Sequence, residues 1–211
     1  PVQVPPPASG PGPGGEPGPG AGTRTQLLEE LDVSKVRSCT QCPLHEGRTQ
    51  TVFGEGDPDA QLMFVGEGPG KNEDEQGRPF VGRAGELLNK QIQAMGLQRE
   101  QVYIANILKC RPPNNRDPKP EEAECCVDYL YRQIDLLQPK LILAVGRIAA
   151  QRLLKTNMSL AKLRCKLHEL EKTESPFIVT YHPAYLLRAP AEKRKAWEDL
   201  LFVKQTLDNL S

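Results

Sequence analysis

Short apolar runs alternate along this chain with longer segments whose apolar residues recur every three or four positions. Leu62 to Val65, Val102 to Leu108, Leu141 to Val145 and Phe177 to Tyr181 are too short for helices and read as buried strands. Helical spacing marks about 26–36, 85–95, 120–137, 147–154 and 192–210. In the last of these, Trp197, Leu200, Leu201 and Leu207 are expected on the core side. Parallel neighbours in a sheet need a crossover, and an amphipathic helix is the usual one. The alternation therefore predicts an α/β fold, a three-layer α/β/α sandwich around a central, mainly parallel sheet of about four strands.

Such sheets bind ligands at the carboxyl ends of their strands. Three distinct features fall there. The first strand runs into Gly66-Glu67-Gly68-Pro69-Gly70, a turn that leaves its backbone open to close approach. The acidic stretch Glu73-Asp74-Glu75 and the loop Gly77-Arg78-Pro79-Phe80-Val81-Gly82 follow it. Asn106 lies near the end of the second strand, and His182, before Pro183, ends the last. All three strand ends are expected to converge on one cleft.

The first 24 residues hold eight prolines and seven glycines, which cannot bury a core. They read as a disordered tail, 1–24, preceding one domain over 25–211. Basic and acidic residues balance at 27 each, so a nucleic-acid partner depends on a local basic patch, not on net charge. No run approaches the ~18 apolar residues of a membrane span. No leader with a basic start, apolar middle and small-residue cleavage site is present, so a cytoplasmic setting is expected.

In that setting clustered cysteines point to metal or chemistry before disulfides. Cys39 and Cys42 form a two-ligand clip, Cys110 sits in a proline-rich loop, and Cys125 and Cys126 are adjacent on a helix. Four such thiolates suit either zinc or a [4Fe-4S] cluster. The missing second clip favours iron–sulfur, and spacing alone leaves the choice between Cys125 and Cys126 open. Cys165 stands apart.

Taken in order, four segments resemble the family 4 uracil-DNA glycosylases, iron–sulfur enzymes of the uracil-DNA glycosylase superfamily. They are Gly66-Glu67-Gly68-Pro69-Gly70, the run from Gly77-Arg78-Pro79-Phe80 to Gly85, Lys109-Cys110-Arg111-Pro112-Pro113, and His182-Pro183-Ala184. The resemblance spans roughly Val36 to Phe202. It implies a DNA-repair hydrolase that cleaves the N-glycosidic bond of uracil in single- or double-stranded DNA and leaves an abasic site. It implies a [4Fe-4S] cluster held by Cys39, Cys42, Cys110 and Cys126, which selects Cys126 over Cys125. A monomer with uracil-containing DNA as its partner is expected.

The resemblance also assigns parts. His182, Glu67 and Gly68 are the catalytic candidates; Glu67, Gly68, Glu73, Phe80, Asn106 and His182 bind the flipped base. Phe80 stacks on the pyrimidine, Asn106 offers a donor and an acceptor to the uracil edge, and His182 donates where negative charge develops. Glu73 matches the residue credited with rejecting the thymine methyl, the alternative being a solvated acidic loop. The best-known branch of the superfamily carries a water-activating aspartate at the position of Gly68, which here has no side chain. Leu186, Leu187 and Arg188 match a loop that enters the DNA minor groove. Arg188 first, and with it Lys109, Arg111, Arg116, Lys119, Lys193, Arg194 and Lys195, are candidates for phosphate contact. Two other readings remain: a uracil-DNA binder that lacks turnover or traps product covalently, and an iron–sulfur redox or DNA-binding module without catalysis.

Overall fold

The computed structural model describes residues 21–210. Most of the expected Pro/Gly-rich tail lies outside the described residues, but its last part does not. Helix α1 begins at Ala21 and runs to Leu31, continuing through one wider turn over Asp32–Val36. After the short α2 (Leu44–Gly47), the chain runs β1 (Glu55–Gly56), β2 (Leu62–Gly66), α3 (Lys71–Gln76), α4 (Arg83–Ala94), β3 (Tyr103–Asn106), α5 (Pro120–Leu137) and β4 (Leu141–Val145). It ends with α6 (Arg147–Leu153), α7 (Leu160–Leu163), β5 (His168–Leu170), β6 (Thr173–Thr180), α8 (Pro183–Arg188) and α9 (Lys193–Leu210).

One sheet of six strands, in the order β1-β3-β2-β4-β6-β5, forms the middle layer. Its four inner strands are parallel, as the alternation predicts. The two edge strands are antiparallel additions that the sequence reading did not contain. Two or three residues are too few to display a period of two, so these strands left no pattern.

Successive side chains on a strand point to opposite faces. Met63 and Val65 join α1, α5, α6 and α7 in one core, with Leu130, Ile134 and Ala149. Leu62 and Phe64 join α4 and α9 in the other, with Leu88, Ile92, Leu200 and Val203. The sheet is thus covered on both sides, which explains why its inner strands are apolar throughout.

Helix α9 corrects one expectation. Trp197 is 44% exposed and Leu201 49%, so neither faces the core. The buried side is Ala196, Asp199, Leu200, Val203 and Thr206. Asp199 turns inward because it has partners there: Arg164 donates from Nε at 2.9 Å and Thr180 from its hydroxyl at 2.7 Å. That buried ion pair fixes which side of the helix meets the sheet, with Leu200 and Val203 inward and Trp197 and Leu201 outside. Among the described residues no helix is long and apolar enough to cross a membrane.

Candidate active site

The carboxyl ends of β2, β3 and β6 open onto a cavity of about 940 Å³. Glu67, Gly68, Gly70, Glu73, Phe80, Asn106, His182 and Arg188 all line it, as the strand-end argument requires.

Gly66, behind the lining, decides how Asn106 and Phe80 enter it. In the parallel register Gly66 lies beside Asn106. A Cβ on Gly66 would come within 2.3 Å of Asn106 Oδ1 and 2.7 Å of the Phe80 ring. Only a glycine lets both side chains cross the strand end together. Phe80 itself has φ of 51°, an uncommon conformation for a bulky residue, which marks a position imposed by its surroundings. Its carbonyl lies against the first turn of α4, where a Cβ on Gly85 would be only 1.8 Å away. The ring centroid of Phe80 stands 5.7 Å from that of His182.

Glu73 is neither loose nor solvated. One carboxylate oxygen accepts from the Gly70 amide at 3.1 Å, and the other from Val81 and Gly82 at 2.9 and 3.0 Å. A single side chain therefore fastens the glycine turn to the loop carrying Phe80. The next residue, Asp74, is buried and accepts from the Thr49 amide. Of the three acidic residues only Glu75 is exposed, so the picture of a solvated acidic loop does not hold.

Asn106 is 1% exposed, and its Oδ1 has no hydrogen-bond partner. A buried carbonyl without a donor costs about 1–3 kcal/mol. Here it lines a cavity, where a ligand N–H can supply what the protein does not.

His182 caps α8. Its Nδ1 accepts from the Ala184 amide at 3.1 Å. An amide can only donate, so Nδ1 holds a lone pair and the ring hydrogen sits on Nε2. Burial pushes the ring's pKa down to about 4, with Arg188 adding to the fall and Glu73 opposing it. At neutral pH His182 is an uncharged donor. Glu67 behaves oppositely: burial, then the charge of Asp117, raises its carboxyl to about 7 against the pull of Arg147. It is poised to exchange a proton near neutrality. Gly68 also lines the cavity without a side chain, so Glu67 is the nearest carboxylate in sequence to that place.

The DNA-facing expectations divide. The periodicity of α8 turns Leu186 inward, 1% exposed, against Tyr181 and Ala196, so it presents nothing to a duplex. Leu187 is half-buried and Arg188 exposed at the rim. Lys109 cannot touch phosphate. Its ammonium is fully enclosed and donates to Phe53 O, Asn106 O and Gln133 Oε1 at 3.0, 2.8 and 2.6 Å. Arg116 is engaged by the buried Glu122. Arg111 donates to Asn115 at 2.7 Å.

A second, smaller cavity is lined by Cys39, Cys42, Cys110, Cys125 and Cys126, with Leu44, Leu108 and Tyr129 around them. None of them is joined in a disulfide; Cys110 and Cys126 are buried, whereas Cys125 is exposed. Donors already point at two sulfurs: Arg48 reaches Cys110 Sγ at 3.1 Å, and the Lys109 amide reaches Cys126 Sγ at 3.3 Å. Such donors suit thiolates carrying negative charge. Among the described residues no three His, Cys, Asp or Glu side chains form a group that could hold a metal ion. The sulfurs line a shared cavity without closing on one point.

Tyr185 was not singled out in the sequence. It lines the cavity, is 41% exposed, and stacks on Tyr181. The signal was present as tyrosines four apart across His182-Pro183.

Comparison with known proteins agrees with this geometry. Residues 53–201 match the family described as the uracil DNA glycosylase superfamily. A type-4 uracil-DNA glycosylase of Archaeoglobus fulgidus is 45% identical over 171 residues, 77% of this chain and 86% of that protein. That of Thermotoga maritima is 46% identical over 167 residues, 79% of this chain and 86% of that protein. That of Sulfurisphaera tokodaii is 45% identical over 178 residues, 81% of each. With its strand-end cavity intact and its match extending over most of its length, this chain belongs to the type-4 family of the uracil-DNA glycosylase superfamily.

Proposed function

We propose that this chain is a monofunctional uracil-DNA glycosylase that hydrolyses the bond between uracil N1 and the deoxyribose C1′, leaving an abasic site. It acts on uracil opposite guanine or adenine and in single strands, as a monomer with one catalytic domain. The observation that carries the reading is the pairing of a neutral His182 donor with the unpartnered Asn106 Oδ1 in one cavity.

The base must leave the helix to reach such a cavity. Phe80 then stacks on the ring, Asn106 Oδ1 accepts from uracil N3–H, and the Asn106 amide donates to O4. As the C1′–N1 bond breaks, its electron pair leaves with the base and the sugar gains positive charge. The His182 Nε2–H donates to uracil O2, where the negative charge collects. A neutral donor suits this step, because it stabilises the anion without passing on its proton. Amides of the 66–70 turn add fixed dipoles. Water then bonds to C1′, and the Glu67 carboxylate takes the proton it releases. With its charge Glu67 also faces the cationic sugar. Glu73 serves selectivity by fixing the turn against the Phe80 loop, so that the wall cannot yield to the methyl of thymine.

Cys39, Cys42, Cys110 and Cys126 would hold a [4Fe-4S] cluster. Bound there, it would supply a structural cross-link between the chain before α2, the loop after β3 and the start of α5. Purified protein should contain iron and absorb in the visible; zinc without iron would contradict this assignment.

Glu67 makes the rate depend on pH. Its carboxylate fraction grows as pH rises through about 7. The single-turnover rate at saturating enzyme should therefore fall about tenfold per pH unit below that point and level off above it. Glu67→Gln should be slower and flat over the same range. A wild-type rate independent of pH from 5.5 to 8 would remove Glu67 from the step.

Function is tested by incubating the pure protein with a duplex holding one U:G pair and measuring free uracil. Release, with a matched T:G duplex left intact, is the expected result. Tight binding without release would favour a non-catalytic uracil-DNA binder, and a covalent adduct would favour the trapping alternative.

A further inference from the structure

Resting on that reading, the cavity rim carries a feature the reaction as described does not use. Tyr181 and Tyr185 are stacked, with ring centroids 5.6 Å apart and planes inclined by 10°. Tyr181 is held from every side. Its hydroxyl donates to Glu192 at 2.9 Å, and the Arg164 guanidinium lies over its ring at 4.8 Å from the centroid. Arg164 is in turn clamped by Asp199, which is 0% exposed and also bonded by Thr180. A buried carboxylate, a guanidinium and two aromatic rings thus form one column, rooted between β6 and α9. It ends at Tyr185, exposed at the rim.

Exposing a large aromatic costs the apolar contacts it makes elsewhere, and here the ring is also stiffened by its neighbours. That is the arrangement of a stacking platform rather than of a core residue. Position identifies what it stacks. Tyr185 lies three residues after His182, the cap of α8, and Arg188 three after Tyr185, so Tyr185 neighbours both; on a helix such a spacing is about 5–6 Å at Cβ. All three line the same cavity. A base held against His182 would leave the next nucleotide of its strand within reach of Tyr185, and a phosphate beyond it near Arg188. Every nucleobase presents a π face, so such contact tolerates any sequence.

We propose that Tyr185 is a second base-binding residue, stacking on the nucleobase adjacent to the flipped uracil in the same strand. The Asp199–Arg164–Tyr181 column holds its ring in place. The contact matters most in single-stranded DNA, where the neighbouring base has no partner in a duplex stack to give up.

The test uses single-stranded oligonucleotides with one deoxyuridine whose 5′ or 3′ neighbour is either thymidine or a base-free tetrahydrofuran spacer. With wild-type protein, the spacer on one side should raise KM about tenfold with kcat nearly unchanged, in the range measured for base–aromatic stacking. Tyr185→Ala should show the raised KM on the thymidine substrate and no further change with the spacer. Tyr185→Phe should behave as wild type, since stacking needs the ring and not the hydroxyl. The proposal is overturned if the wild type is indifferent to spacers on both sides. It is overturned equally if Tyr185→Ala weakens spacer and thymidine substrates alike, which is the mark of a merely structural residue. Uracil release by the wild type on the thymidine substrate stands as the separate check on the enzymatic reading.

Discussion

Replacing His182 with alanine should lower the single-turnover rate of uracil release by about 10²–10³-fold, the usual effect of deleting one donor to a developing anion. Affinity for uracil-containing DNA should change little, because in the ground state uracil O2 carries only the partial charge of a carbonyl. The distinction matters because a histidine acting by charge would attract DNA before any bond breaks. His182 is held neutral by burial, with its Nδ1 occupied by the Ala184 amide. Its contribution is therefore confined to the transition state, and equal losses of rate and affinity would contradict that. The sign of the pH effect follows too. A folded pKa of about 4 means that the ring stays uncharged above pH 5, so no kinetic step near pH 6.5 should trace to it.

Gly85→Ala should be strongly damaging although Gly85 does not line the cavity. The added methyl would sit 1.8 Å from the Phe80 carbonyl oxygen and 2.2 Å from its carbon. Neither is the tip of a flexible side chain, so either the loop or the first turn of α4 must move. Phe80 already occupies a left-handed backbone conformation and is tied through Val81 and Gly82 to Glu73. Moving it dismantles the wall shared with the glycine turn. A stability loss of about 3 kcal/mol is expected, at the upper end for overpacking. For a chain of this size that is roughly 6–12 °C in Tm. Uracil release should fall by more than tenfold at a temperature where the variant is still folded. Thermal unfolding and single-turnover kinetics check both, and a variant with wild-type Tm would show that the contact relaxes freely.

Much of this site was legible because strand ends are legible. Gly66, Asn106 and His182 each follow an apolar run, and a parallel sheet brings such ends to one edge. What could not be read was polar residues drawn inward by partners far along the chain. Asp199 turned α9 away from Trp197 and Leu201 because Arg164 and Thr180 waited for it, and periodicity treats any aspartate as solvent-facing. Lys109 looked like a phosphate contact and is instead a buried hub between Asn106 and the loop at Phe53. Leu186 looked like a wedge, but its place in α8 points it into the core. The conformation of Phe80 had no sequence signal, since only Gly66 and Gly85, packed around it, make it intelligible. The resemblance named Glu73, but its three amide partners explain it as a fastening between two loops.

The central claim is that uracil leaves towards a neutral histidine whose hydrogen is on Nε2. The ring nitrogens of His182, observed by ¹⁵N NMR in protein bound to uracil-containing DNA between pH 5 and 8, test it most directly. An Nε2–H tautomer with a lone pair on Nδ1, unchanged across the whole range, is the predicted result. A titration centred near pH 6.5, or a hydrogen on Nδ1, would contradict it.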